Sequence, residues 1–332
     1  MKIGVVGATG LVGATLIPML ESMQHVTTMI PFASERSAGQ FVYFRDQQFV
    51  VKNLEDEALN DCDVLFTATE GLISKPLIER RLSKHALIID NASTYRLDKN
   101  VPLIIPEVNP EAYQGEPLIA NPNCTTIQLL LAIHPLMRYF DIKQCIVSSY
   151  QSVSGTGQKG IDELTQSMKA CLDRSSFNPV VYPKVIAANV IPQCDKFDGD
   201  WSLEELKIVN ESKKILQQSF NVTPTCVRVP VYQGHHLSVT VKLQDQVSKD
   251  FLESIFEHSS RIKLMKGQHY AVSDDVIDSD YVIVSRLRQS LTCPYTWSFW
   301  VSADNIRVGA ATNAIKILEM AINSSFIKST VV

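Results

Sequence analysis

Cys124 stands in Asn121-Pro122-Asn123-Cys124-Thr125-Thr126-Ile127-Gln128, where polar turn residues give way to the apolar run Leu129 to Ile133. That change predicts a helix starting at or just after the cysteine. Unpaired backbone N–H groups and the helix dipole at such a start favour a thiolate over a thiol, and the same groups can hold a developing oxyanion. A cysteine buried in the core is the alternative, so the company this one keeps decides the matter. Gln151 closes a strand that begins at Ile142 and opens the polar turn Gln151 to Gly157. Arg228 and His235 flank a turn containing Tyr232-Gln233-Gly234 and are expected to converge on one cleft. An imidazole titrates near neutrality and suits proton transfer, against the plainer reading of an edge histidine that only satisfies its neighbours. Ser202 reads as a helix cap with Glu204 and Glu205 in the first turn, and the three-residue spacing of Glu204 and Lys207 puts them on one face, whether for a ligand or as a surface pair. Arg96 follows Asn91-Ala92-Ser93-Thr94-Tyr95 and could hold an anion or make an ordinary ion pair.

The elements that must position these groups fall into two patterns. Met1 to Val6 is an apolar strand, followed by Gly7-Ala8-Thr9-Gly10-Leu11-Val12-Gly13 and an amphipathic helix through Met23. That order is the dinucleotide fingerprint in GxxGxxG form, in which glycine permits a tight turn and the helix start meets a pyrophosphate. A second strand around Thr27 to Phe32 ends at Ala33-Ser34-Glu35-Arg36-Ser37. Glu35 would serve the ribose hydroxyls of NAD, whereas Arg36 with Ser34 and Ser37 suits the 2′-phosphate of NADP, and NADP is the reading adopted. Strands at Val64 to Phe66 and Ala86 to Asp90, with a helix expected around Glu79 to Lys84, complete a parallel, doubly wound sheet. Beyond Cys124 come a helix from about Lys159 to Ala170, a Pro-containing stretch over 171–201 expected to pack, a helix from Ser202 to about Gln218, and alternating strands that suggest an antiparallel sheet. The last strand, Thr296 to Ala303, leads to a helix over Ala314 to Ile322 that should return to the first domain.

Composition narrows the classes. With 332 residues two domains are expected, and a net charge of −4 gives no reason to propose a nucleic-acid or membrane-surface partner. Seven cysteines without a CxxC pair read as reduced thiols rather than a metal or disulfide framework. No run approaches the roughly 18–20 apolar residues of a membrane span, and no charged leader precedes Ile3, so a cytoplasmic location is expected.

Taken together, the glycine turn at Gly7, the Cys124 motif, Tyr150-Gln151-Ser152-Val153-Ser154-Gly155, Arg228-Val229-Pro230-Val231 with Gly234-His235, and Gly309-Ala310-Ala311-Thr312-Asn313-Ala314 resemble the bacterial type of aspartate-β-semialdehyde dehydrogenase over nearly the whole chain. The resemblance implies an α/β architecture: a Rossmann-like NADP-binding domain over 1–123 and 309–332, and an α+β catalytic and dimerisation domain over 124–308, assembled as a homodimer. It implies NADPH-dependent conversion of L-aspartyl-4-phosphate to L-aspartate 4-semialdehyde through a thioester on Cys124. His235 becomes the general acid/base, Gln151 orients the acyl group, Arg228 clamps the substrate carboxylate, and Glu204 faces its ammonium. Arg96, Lys207 and Asn123 receive phosphate. Gly7, Thr9, Gly10, Leu11, Val12, Gly13, Arg36, Ser37, Ser154, Gly155 and Asn313 contact the cofactor, and no metal is implied. Three features differ from the usual pattern: His236 follows His235 in place of a small hydroxyl residue, Glu70 sits in a turn that is typically glycine-rich, and the middle region is compact, as in the shorter branch of the family. The competing readings are another thioester-forming reductase, such as N-acetyl-glutamyl-phosphate reductase, and a non-enzymatic nucleotide-binding protein. Replacing Arg36 with Ala is expected to abolish any preference for NADP over NAD, measured as the ratio of the two kcat/KM values. An unchanged ratio would remove Arg36 from the cofactor site.

Overall fold

The computed structural model describes residues 1–81, 86–218 and 220–324. The chain forms two compact units, Met1–Asn123 with Ala310–Val332, and Cys124–Gly309. The first is built on strands β1 (Lys2–Val6), β2 (Thr28–Ala33), β5 (Lys52–Asn53), β6 (Val64–Thr67), β7 (Leu87–Asp90) and β8 (Leu118–Ala120), all parallel, in the order β5-β2-β1-β6-β7-β8. This is the doubly wound order, with the direction of travel reversing beside β1. Consecutive residues of β1 and β6 are buried, the mark of strands covered on both faces. Gly7, at φ +86°, makes the turn from β1 into α1 (Leu11–Glu21). A Cβ at Gly13 would lie 2.2 Å from the Gly7 carbonyl oxygen, so the close approach of turn and helix requires glycine. A hairpin of β3 (Phe41–Phe44) and β4 (Gln47–Val50) turns on Arg45 and Asp46, both at positive φ. Helix α2 (Gly71–Arg81) begins well before the segment expected to be helical, and residues 82–84 of that expectation lie outside the described residues.

The second unit opens with α3 (Cys124–Met137) and β9 (Ile142–Gln151), then α4 (Gln158–Leu172). The stretch over 171–201 packs as expected: Tyr182, Ile186 and Ile191 join Val153 and Leu164 in a buried cluster. The buried Glu163 carboxylate of α4 accepts from the backbone N–H groups of Val180, Val181 and Tyr182 and ties the stretch down. A short pair, β10 (Phe197–Asp198) and β11 (Trp201–Ser202), leads into α5 (Leu203–Leu216). Then come β12 (Val222–Arg228), β13 (His235–Leu243), α6 (Lys249–Glu257), β14 (Ile262–Met265), β15 (Val282–Gln289) and β16 (Thr296–Ala303).

The sheet order is β12-β9-β13-β16-β15-β14. It is mixed, which corrects the antiparallel expectation: β12 runs parallel to β9 and β14 parallel to β15. The reason is that β12 and β13, joined by a short turn, do not pair with each other. Instead β9 lies between them, parallel to one and antiparallel to the other. One face, carrying Val147, Leu237, Val239, Val241, Phe299 and Val301, is buried beneath α3, α5 and α6. Gly309 belongs with this unit rather than with the first, because it abuts Cys124.

The final helix, α7 (Thr312–Asn323), returns to the first unit, where Ile317, Leu318 and Ala321 share a core with Leu16 and Leu20 of α1. Helix α5 starts with a reciprocal capping box, in which Ser202 accepts from the Glu205 N–H and Glu205 accepts from the Ser202 N–H. Replacing Ser202 with Ala should lower stability by about 1 kcal/mol, read as a shift of the urea midpoint at unchanged slope.

Candidate active site

Three strand ends meet at one edge of the second sheet. Gln151 ends β9 and is in register with Arg228, which ends β12; His235 begins β13, one position from the His236–Tyr150 pair. Helix α3 brings the cysteine. Cys124 is its first residue and half-buried, and Gln128, one turn on and on the same face, donates from Nε2 to the His235 carbonyl oxygen at 2.9 Å. This bond, between a side chain and a carbonyl far apart in sequence, locks the helix that carries the sulfur to the strand that carries the imidazole. Thr125 extends the link: its hydroxyl accepts from Gln151 Nε2 at 2.8 Å and donates to Glu204 Oε1 at 3.4 Å. Gln151 also donates to Glu204 Oε1 at 3.2 Å, so Cys124, Gln151 and Glu204 are joined through one threonine.

The structure therefore brings together Cys124, Gln151, Glu204, Arg228 and His235. Lys207 adjoins them through Glu204 Oε2 at 3.2 Å and Asp195 at 2.9 Å. Arg228 donates from Nη1 to the Ser152 carbonyl oxygen at 2.6 Å, while its Nε is buried with no hydrogen-bond partner. The Tyr182 ring lies 5.9 Å from the guanidinium carbon. His235 is fully buried, and its Nε2 is a second buried atom with no partner. Gly155 separates the two: a Cβ there would lie 3.1 Å from His235 Nε2 and 3.2 Å from Arg228 Nη1. The two unanswered buried donors mark a place for a ligand with negative or partly negative oxygens, and a side chain at Gly155 would crowd both the imidazole and the guanidinium.

The other nitrogen of His235 is fully committed. Nδ1 accepts from the Ser152 backbone N–H at 3.2 Å and lies 3.0 Å from the Ser152 hydroxyl. A backbone N–H cannot reverse, so Nδ1 is an acceptor and the neutral ring carries its proton on Nε2. Burial, followed by the nearby Arg228 charge, pushes the His235 pKa down to about 3, with Glu204 pulling weakly the other way. His236 is also neutral, pushed down to about 4 by burial; its Nδ1 and Nε2 bond to Ser302 and Ser273, and its ring stacks on Trp300.

Ser152, Thr125, Gln128 and Asn305 received no role from the sequence. Asn305 carried no signal, since nothing in Ala303-Asp304-Asn305 marks it as adjoining a turn far earlier in the chain. Ser154 is buried, with its hydroxyl bonded to Ser152 and Asn305, its N–H to the Tyr232 carbonyl and its carbonyl to the Gly157 N–H.

The remaining sequence candidates lie in the first unit. Helix α1 has Gly10 as N-cap and no side-chain cap, so the N–H groups of Leu11, Val12 and Gly13 are uncapped, and Thr9 and Gly10 are exposed. These residues fit a dinucleotide pyrophosphate. Arg36 is exposed and Ser37 half-buried in the turn after β2, where the Ser37 N–H bonds the Ser34 carbonyl oxygen. Arg96 is buried and donates from Nη2 to the Asn91 carbonyl oxygen at 2.7 Å; Asn123 is buried at the end of the unit. Asn313 is fully buried, donating to Asn121 at 2.6 Å and to the Ile104 carbonyl oxygen at 2.9 Å, while its own Oδ1 has no partner.

Comparison with known proteins places these observations in a family. A model described as semialdehyde dehydrogenase, NAD binding domain, matches residues 2–115, and one described as semialdehyde dehydrogenase, dimerisation domain, matches residues 133–308. The aspartate-semialdehyde dehydrogenase of Campylobacter jejuni is 36% identical over 330 residues, covering 96% of each chain. The crystal structure of Vibrio cholerae aspartate semialdehyde dehydrogenase II complexed with ASA superposes with a TM-score of 0.95 at 35% identity, covering 98% of this chain and 99% of that one. A Candida albicans aspartate semialdehyde dehydrogenase with NADP, at 23% identity and a TM-score of 0.75 over 96% of this chain and 97% of that one, shares the fold.

An added methyl group tests whether Gly309 sets the position of the sulfur. The Cβ of Gly309→Ala would fall 2.5 Å from the Cys124 Cβ, closer than real side chains approach. Turnover should fall roughly a hundredfold from misplacement of the nucleophile, with the thermal midpoint little changed. Unchanged kcat would show that the segment yields without moving Cys124.

Proposed function

The chain belongs to the aspartate-semialdehyde dehydrogenase family, and from that premise we propose that it catalyses the reductive dephosphorylation of L-aspartyl-4-phosphate to L-aspartate 4-semialdehyde, with NADPH as reductant, and the reverse phosphorylating oxidation. The reaction supplies the aldehyde from which the aspartate pathway leads to lysine and diaminopimelate, methionine and threonine. The observation that carries this reading is the opposed pair around Gln151: a buried guanidinium with an unanswered Nε, and the buried carboxylate of Glu204. An α-carboxylate and an α-ammonium are the charges such a pair would receive, Arg228 binding the first through its planar fork and Glu204 the second.

In the synthetic direction the Cys124 thiolate, favoured by the start of α3, attacks the acyl carbon. The new S–C bond forms as the carbonyl pair moves onto oxygen, within reach of donors at the helix start and on His235. The carbonyl re-forms and phosphate leaves with the C–O pair, giving a thioester. When bound, the nicotinamide supplies hydride to that carbon. Collapse of the resulting alkoxide on Cys124 expels the thiolate and releases the aldehyde. Gln151 would orient the acyl group, and Arg96, Lys207 and Asn123 would bind the departing phosphate, their cations opposing its charge.

The uncapped α1 start and Gly7 would bind the cofactor pyrophosphate, and Thr9 to Gly13, Ser154, Gly155 and Asn313 carry over from the family resemblance as cofactor contacts. Arg36 with Ser37 favours NADP over NAD. A symmetric homodimer through the second unit is the assembly that suits these properties, and reduced, largely buried thiols suit the cytoplasm. The test is phosphate-dependent reduction of NADP by purified protein given aspartate semialdehyde. Turnover is expected with this aldehyde and not with N-acetylglutamate semialdehyde. Cys124→Ala should abolish it, and Arg228→Lys should raise KM by about tenfold or more through loss of the fork. A protein that fails to turn over aspartate semialdehyde would sink the proposal.

A further inference from the structure

We propose that Tyr182 is a positioning residue for Arg228, and that the stretch from Val180 to Ile191 holds that guanidinium in the one orientation that binds a carboxylate. Nη1 of Arg228 is spent on the Ser152 carbonyl oxygen at 2.6 Å, and Nε is buried without a partner. The side of the fork that carries Nε and Nη2 is therefore the one left for a ligand. A guanidinium on a flexible stem offers that side in a fixed direction only if its faces are held.

The stretch grips Arg228 at two places. Ile191 exchanges both backbone hydrogen bonds with it: the Arg228 N–H donates to the Ile191 carbonyl oxygen at 2.7 Å, and the Ile191 N–H donates back at 3.0 Å. Further back along the stretch, the Tyr182 ring lies with its centroid 5.9 Å from the guanidinium carbon, an arrangement in which a π face attracts a cation. Both residues are buried, so water competes little for the contact.

Tyr182 is itself fixed from several sides. Its N–H donates to Glu163 Oε1 at 3.1 Å, and Oε2 of that buried carboxylate accepts from the Val180 N–H at 2.8 Å and the Val181 N–H at 2.5 Å, so α4 anchors the residue through a charge. Its hydroxyl lies 3.0 Å from Thr156 Oγ1 and 3.4 Å from the Val153 carbonyl oxygen, at the two ends of the turn Val153–Thr156. That turn carries Gly155, where a Cβ would lie 3.2 Å from Arg228 Nη1. At Gly160 a Cβ would fall 2.5 Å from the tyrosine hydroxyl, so α4 approaches the end of the ring as closely as glycine allows. A tyrosine that only filled the core would need neither a charged anchor for its backbone nor a cation over its face. Both together make it a seat for Arg228.

The proposal rests on the reading of Arg228 as the clamp for the substrate carboxylate, and its tests separate the two. Tyr182→Met, which keeps bulk but has no π face, should raise KM for aspartate semialdehyde about tenfold, while kcat and the KM for inorganic phosphate change by less than about threefold. Tyr182→Phe should recover most of that loss; phenylalanine no better than methionine would overturn the role of the ring. On top of Arg228→Lys, Tyr182→Met should add less than about twofold, since the fork that the ring aligns is gone. Losses spread evenly over kcat and both KM values, or the full effect in the lysine background, would reduce Tyr182 to core packing and overturn the proposal. Glu163→Gln should raise the same KM by weakening the anchor, and an unchanged KM there would overturn the role of the stretch. The contact is also read without turnover. In protein labelled with 15N at arginine, the Arg228 Nε–H signal, identified by its loss in Arg228→Lys, should move in Tyr182→Met and hold its place in Tyr182→Phe. A signal that stays put in Tyr182→Met, or moves as far in Tyr182→Phe, overturns the proposal. An unaltered protein with no activity on aspartate semialdehyde would count against the functional reading alone and leave that signal to decide.

Discussion

The candidate site depends first on the order of three strands. Because β9 is inserted between β12 and β13, two strands finish at one sheet edge and a third begins there, so Gln151, Arg228 and His235 arrive together from distant parts of the chain. Had β12 and β13 paired as a hairpin, Arg228 and His235 would be neighbours with no glutamine between them and no Ser152 backbone behind the imidazole. Strand pairing also fixes which way each side chain faces, since a slip of one residue would send all of them to the opposite face of the sheet. The register is defended by the buried face, where Val147, Val239 and Phe299 have no exposure to lose.

A buried carboxylate holds the loops above that edge. Asp304 is fully buried and accepts four hydrogen bonds: from the Ile306 and Arg307 N–H groups at Oδ1, and from Gln233 Nε2 and the Asp278 N–H at Oδ2. Such a group is costly to bury unless its lone pairs are answered, and here they are. The consequence is positional. Gln233 leads into His235, and the segment from Ile306 runs on to Gly309, whose missing side chain makes room for Cys124. Asp304 and its neighbour Asn305 thus secure both the turn that carries the imidazole and the contact that seats the sulfur. Losing either would disturb two reacting groups at once.

How much of this was legible in the sequence follows the distance over which each interaction acts. Local signals worked well: the glycine turn at Gly7, the apolar strands of the first sheet, and Ser202 as the cap of α5 all depend on neighbours within a few residues. The hairpin of β3 and β4 escaped notice because Arg45 and Asp46 occupy left-handed conformations without the glycine or asparagine that usually announces them. Among the site residues, Cys124 was visible from the polar-to-apolar change at the start of α3. Ser152 and Asn305 were not, because a serine in a polar turn and an asparagine after a strand are common, and only the fold brings Ser152 to Nδ1 and Asn305 to Ser152. The parallel pairing of β12 with β9 was invisible for the same reason: alternation reports one covered face, not the direction of the strand beside it.

The fold also separates one sulfur from the rest by physical means rather than by residue type. Burial pushes the Cys145 and Cys194 thiols up to about 12 and raises Cys226 as well, so none of them supplies a thiolate near neutrality. Cys124 differs in being half-buried at a helix start. Cys293 is the competitor: it is held below the ordinary thiol range first by a hydrogen bond with the Thr296 side chain, on a turn remote in sequence from the strand ends of the site. Alkylation measured as total thiol consumed would therefore register Cys293 and the exposed Cys171 together with Cys124. Only the loss of a function that passes through the α3 start distinguishes them, and the link from Gln128 to the His235 carbonyl makes that distinction a property of the fold as well as of the sulfur.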